Sequence, residues 1–282
     1  MKLNNASKVI ALASVVSALG FSTSAFAGVA APAKESKEVV KIEEKAEPFG
    51  LNLTLAYDSQ YEFRGVNILG GGRGEGATEG GGLVSADINY NKFGFTLGGW
   101  YAASINETPN GHGGNGYNNG KYTELDLYLS YSHTFGPVTL TGGYIFYFFP
   151  ETSLDSNSYS HEANIGISTS VIPYVTPSLT YYYDFSLFQG GYLEFKLASS
   201  IPVPGLGGKL SIDPYALVSY DFKYNSNTDD WNHFQAGINV PYHITPNVTI
   251  SGYAAVSVAL DALDGIANDH EVFGGGKIGF SF

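Results

Sequence analysis

The 282-residue chain has no cysteine, one methionine, two tryptophans and few basic side chains, 14 Lys and Arg against 26 Asp and Glu. Without cysteine there is no disulfide framework, no thiolate metal cluster and no thiol nucleophile. A net charge of −12 argues against a nucleic-acid partner, because phosphate binding needs a basic patch. After the N-terminal leader no stretch is long and apolar enough to cross a bilayer as a helix. His112 has no partner at ligand spacing, and the acidic stretch "LDALDGIANDHE" reads as a surface loop. Neither a metal nor a cofactor is therefore expected.

Glycine, tyrosine and phenylalanine are abundant, at 36, 21 and 18 residues. A soluble enzyme carries more charge and more helix-forming Leu and Ala. Residues 1–27 combine Lys2 and Lys8, the apolar run "VIALASVVSALGF" and the Ala25-Phe26-Ala27 site, the pattern of a secretory signal peptide. Residues 28–49, rich in Lys, Glu, Ala and Pro, read as a charged periplasmic linker.

From Leu51 the hydrophobic period is two. In "LNLTLAYDSQYEFRG", Leu51, Leu53, Leu55, Tyr57, Tyr61 and Phe63 share one parity, while Asn52, Thr54, Asp58, Gln60, Glu62 and Arg64 share the other. Alternation of this kind specifies a strand with one apolar and one polar face. It recurs, placing strands near 51–66, 80–90, 93–104, 122–135, 138–149, 160–171, 175–186, 190–203, 209–222, 231–244, 247–260 and 272–282. Most are long enough to cross a bilayer at a tilt. Short turns alternate with longer loops, the connection pattern of an outer-membrane barrel, with "LFQG" near Leu187 as a tight exception. The expected fold is all-β, a transmembrane antiparallel up-and-down barrel of about twelve strands over residues 50–282.

Charge placement supports an inside-out arrangement. Asp58, Glu62, Arg64, Asp87, Glu124, Asp126, Glu162, Asp184, Glu194, Lys196, Asp213, Asp221 and Lys277 all fall on the polar parity. A Lys or Arg facing lipid at mid-bilayer costs about 2–4 kcal/mol, which keeps the outer rows free of charge. A soluble sandwich or lipocalin-type barrel alternates as well, but it would turn its apolar row inward and need fewer long strands. Trp100 and Tyr128 join the inward rows, with Tyr147, Tyr182, Tyr192, Tyr215 and Tyr253. Aromatics of the apolar parity, among them Tyr61, Phe63, Phe93 and Phe95, are expected in the interfacial girdles.

Three stretches, "YDSQYEFRGVNI", "FGFTLGGWYAAS" and "ELDLYLSYSHTFGPVTLTGGYIFYFFPE", resemble the TorF-type porin family, the Gcw-type conserved exported proteins of proteobacteria. The likeness rests on Phe63-Arg64-Gly65, on Trp100 in a Gly-Trp strand, and on a Glu-rich strand leading to Phe149-Pro150. It covers roughly the first two-thirds of the barrel. It implies an outer-membrane location in a Gram-negative bacterium and channel activity, and it brings no catalytic residues. By likeness to the same class, the alternating C-terminal strand with Phe280 and Phe282 resembles the sorting signal read by the outer-membrane assembly machinery.

The inward rows carry ten acids against three bases, and rings of carboxylates favour cations. A twelve-strand lumen lies between the filled eight-strand and open sixteen-strand types. The expected function is a passive, mildly cation-preferring channel for small hydrophilic solutes or ions, with Arg64 or Lys196 as a narrowing counter-charge. So few bases leave many carboxylates to be hydrated, which favours an open lumen over one plugged by salt bridges and Tyr hydroxyls. Two alternatives stay open. One is a barrel that displays its loops for adhesion or membrane structure. The other is a barrel-embedded lipid hydrolase, for which Ser132–His133 and Ser160–His161 are poor candidates because neighbours in a strand point to opposite faces. Outside the barrel the partner is outer-membrane lipid.

Overall fold

The computed structural model describes residues 49–70, 82–105, 122–150, 159–267 and 269–282. The leader, nearly all of the linker, His112 and most of the glycine-rich loop lie outside the described residues.

Fifteen strands are formed: β1 (Leu51–Asp58), β2 (Glu62–Phe63), β3 (Val66–Asn67), β4 (Leu83–Lys92), β5 (Phe95–Ser104), β6 (Thr123–Phe135), β7 (Val138–Phe148), β8 (Tyr159–Thr169), β9 (Thr176–Asp184), β10 (Gly190–Ala198), β11 (Ile201–Pro202), β12 (Ser211–Phe222), β13 (Asp229–Thr245), β14 (Val248–Ala259) and β15 (His270–Ser281). Neighbours in the wall pair antiparallel, β1 bonds to both β4 and β15, and β10 bonds to β12. No strand edge is left open, which is what a sheet needs where no water can satisfy its backbone. β2 and β3 form a separate two-stranded sheet, and β11 only extends the pairing of β12. The barrel wall therefore has twelve strands, as the sequence periodicity predicts.

The register shows how alternation sorts the two faces. Asp87, Trp100, Asp126, Tyr147 and Ser160 lie opposite one another across β4 to β8, and all five are buried inside. Three residues along, on the other parity, Leu97, Leu129 and Tyr144 form a row on the outside, with Leu97 60% exposed. A continuous exposed apolar band is unfavourable in water but matches the acyl region of a bilayer.

Local chemistry closes the short end. Phe93 and Gly94 join β4 to β5 with φ of 54° and 84°, the two left-handed residues of a type I′ turn. The terminus is laced into the wall: the Phe282 N–H donates to Leu51 O at 2.9 Å, and the Gly50 N–H donates to Phe282 O at 2.7 Å. Phe280 sits opposite Leu53 and Val248, and Phe282 is exposed.

The first strand departs from expectation. It stops at Asp58 rather than running to 66, and residues 62–67 turn inward as the β2–β3 hairpin. Tyr61 and Phe63, expected in a lipid-facing girdle, are instead 4% and 0% exposed inside the barrel. Burying two large rings against other aromatics stabilises this inward fold by several kcal/mol on area grounds, about 1.5–3 kcal/mol for each fully buried ring.

Candidate functional site

The site grows from the tetrapeptide Phe63-Arg64-Gly65-Val66. Arg64 and Gly65 have φ of 48° and 83°, so the hairpin turns through a type I′ pair, and Phe63 faces Val66 in register. Gly65 is required twice over. Its φ is left-handed, and a Cβ there would lie 2.6 Å from Leu263 Cδ1 and 2.8 Å from His233 Cβ.

This turn aims Arg64 across the loop-side half of the lumen. Its Nη1 and Nη2 donate to Glu162 Oε2 and Oε1 at 2.8 and 2.9 Å, a bidentate pair. The guanidinium carbon lies 4.2 Å from the Tyr224 ring centre, 4.5 Å from Tyr192, 4.7 Å from Tyr182 and 4.8 Å from Phe63. Cation–π attraction operates at these distances and strengthens where water is absent. Phe188 stacks on Tyr224 at 4.6 Å, and Leu263 and Ile266 pack into the same cluster.

Around this centre the buried acids are held by hydroxyl and amide donors. Glu124 Oε2 accepts from Tyr61 at 2.9 Å and Tyr122 at 2.6 Å, and Tyr147 donates to Glu162 Oε1 at 3.2 Å. Asp126, two residues on from Glu124 in β6, is fully buried on the same inward row. Asp184 Oδ1 accepts from the N–H groups of Ser186 and Phe188, and Ser160 Oγ donates to its other oxygen. Asp221 accepts from the N–H groups of Tyr224 and Asn225 at 2.6 and 2.7 Å. Two strand-end aspartates thus cap the turns that follow them, the Asx-type local bonding common after strands. Glu62, off the wall on the hairpin, has its carboxyl pushed up to about 8, first by burial and then by the neighbouring Glu271.

The expectation of hydrated carboxylates fails in this half. Glu124, Asp126, Glu162, Asp184 and Asp221 are fully buried; tyrosine hydroxyls hold Glu124, Arg64 and Tyr147 hold Glu162, and a serine, an asparagine and backbone amides hold the two aspartates at the strand ends. Towards the short-turn end the inner face opens. Lys277 is exposed there, Glu194, Lys196 and Asp213 are half-buried, and Lys196 Nζ lies 4.7 Å from the Tyr215 ring. Between the two zones, Asp58 accepts from Tyr253, and Asp87 accepts from Tyr128 at 2.7 Å and Asn89 at 2.6 Å. Trp100 and Tyr128 are buried at the boundary.

Sequence reasoning missed one contact. A bulge between β12 and β13 turns both Asn232 and His233 inward opposite Ser219, and Ser219 Oγ lies 2.8 Å from His233 Nδ1. Asn232 Oδ1 lies 2.8 Å from the same nitrogen. Ser219 and His233 are 1% and 2% exposed, so the pair offers no reachable nucleophile. The serines weighed from the sequence stay apart from the histidines: Ser132 bonds Thr141 and Ser160 bonds Asp184, while His161 meets Tyr144 on the outside.

A closed twelve-strand antiparallel barrel with a charged interior and an apolar exterior defines a protein of the bacterial outer-membrane β-barrel class. Within that class, the profile of the Gcw_chp family, described as bacterial proteins of unknown function, matches residues 43–259. The chain belongs to the Gcw_chp family. Among solved structures it is similar in fold to the KdgM porin, with a TM-score of 0.51 and 10% identity over 82% of this chain and 99% of that one. Weaker overlaps include LpxR from Salmonella typhimurium, at TM-score 0.47 and 12% identity over 82% of this chain and 100% of that one. An outer membrane channel from Pseudomonas putida F1 overlaps at TM-score 0.46 and 10% identity, over 87% of this chain and 100% of that one. At these identities the likeness is one of fold alone. No curated protein matches the sequence.

Proposed function

We propose that the protein is a passive outer-membrane channel for small hydrophilic solutes with a preference for cations, and that the conformation described here is its closed state. The observation that carries this reading is the exposed Lys277 with half-buried Glu194, Lys196 and Asp213 on the inner face of the short-turn half, which call for water inside the barrel. The acid excess along the inward rows supports the cation preference. The signal-peptide pattern of residues 1–27 supports export, and Phe280 and Phe282 fit the rim of a strand recognised during assembly. Planar-bilayer recording in a salt gradient tests the reading: conductance with a cation-selective reversal potential is expected, and an anion-selective reversal overturns the preference.

The filled loop-side half favours one second reading, a barrel that serves as a platform for its loops. Deleting residues 105–121 separates the two. Lost surface binding with unchanged conductance supports display, and altered conductance supports the channel. A lipid hydrolase is disfavoured because the one Ser–His contact found among the described residues is enclosed in the lumen, away from acyl chains.

A further inference from the structure

The cage around Arg64 belongs to the barrel wall and its rim, not to the hairpin that fills it. Glu162 stands on β8, Tyr182 on β9, Tyr192 on β10 and Tyr224 in the turn after β12; only Phe63 arrives with the arginine. Tyr147, on β7, holds the Glu162 carboxylate from the side. Withdrawing the hairpin would leave these wall and rim residues in place, with the Glu162 carboxylate stripped of the cation it is paired with. A carboxylate left unpaired among tyrosine faces is a site for another cation, so a solute that supplies one competes with Arg64 for Glu162.

We infer that this pocket is a recognition site for guanidinium-bearing solutes, which Arg64 occupies in the closed state as a tethered stand-in. The two parallel bonds to Glu162 select a planar fork over an ammonium point charge, and the tyrosine faces suit a flat, weakly hydrated cation. A solute that takes the pocket shifts the barrel towards the state in which the hairpin is out, because it binds that state alone. The inference rests on the channel reading for its consequence, transport of such solutes, but not for the site itself.

The test uses the folded, full barrel carrying Arg64→Ala. Millimolar guanidinium chloride should raise its melting temperature saturably and block its bilayer current, while equal sodium chloride does neither. Adding Glu162→Gln should abolish both responses. Stabilisation without any current keeps the site and removes the channel reading; current without a guanidinium response does the reverse. If Arg64→Ala does not fold, Arg64→Gln keeps the length and polarity of the side chain, and refolding yield of either variant becomes the readout. A yield no higher in guanidinium than in sodium chloride overturns the inference.

Discussion

Arg64 and Glu162 are 98 positions apart in the chain, yet they share two parallel hydrogen bonds at 2.8 and 2.9 Å in the buried, loop-side half of the lumen. The pair ties an inward-folded hairpin to the opposite wall and divides the barrel into a filled loop-side half and a wetter short-turn half.

Removing one partner strands the other. Glu162→Ala should lower stability by about 3–5 kcal/mol, the cost of an uncompensated buried charge. Urea unfolding followed by the heat-modifiable gel shift measures it. Asp213→Ala, at a half-buried position of the wetter half, should change stability little.

Gly65→Ala should displace the hairpin without altering any wall strand. The left-handed φ alone costs more than about 1 kcal/mol, and the contacts with Leu263 and His233 force further movement. The expected outcome is a less stable barrel with a larger mean current in bilayers.

The hairpin should loosen as pH rises. Glu62 titrates near 4.5 when unfolded and near 8 when folded, so the folded state binds more protons between these values. The stability it contributes is complete below about 4.5 and is lost as pH climbs through 8. Glu271 faces it from β15 and Ser257 from β14. Wild-type melting temperature should therefore fall between pH 5 and pH 9 by more than that of Glu62→Gln, approximately as a single titration.

The outer face should reject charge. Leu129→Arg, at a half-exposed outward position of β6, should cost about 2–4 kcal/mol of folding free energy. Asn89→Arg, pointing inward on β4, should be tolerated and change conductance instead; refolding into lipid vesicles separates the two.

How far the sequence reveals this can be judged residue by residue. The twelve wall strands follow from parity, and Asp87, Trp100, Asp126 and Tyr128 fall inside as alternation requires. The hairpin was hidden because Tyr61 and Phe63 continue the parity of β1 through the break at Ser59. Two signals were present: a strand from 51 to 66 is longer than the roughly 9–11 residues a crossing needs, and Gly65 interrupts it. The Ser219–His233 contact depends on a bulge, which periodicity does not encode. Asp184 and Asp221 fall on the polar parity, but their capping of the turns that follow appears only once the chain folds back on itself. The loop-side half follows the plugged arrangement that the sequence reading ranks second, because Tyr61, Tyr122 and Tyr147 reach Glu124 and Glu162, and the backbone amides that hold Asp184 and Asp221 leave no mark in parity.

The central claim is that the Arg64 hairpin closes an otherwise water-filled, cation-preferring lumen. Single-channel recording of the wild type beside a variant with residues 62–67 replaced by a glycine-serine linker tests it most directly. The account predicts small or intermittent wild-type current and a larger, steady, cation-selective current from the variant. Equal conductance in both proteins, or a silent variant that is correctly folded, would contradict it.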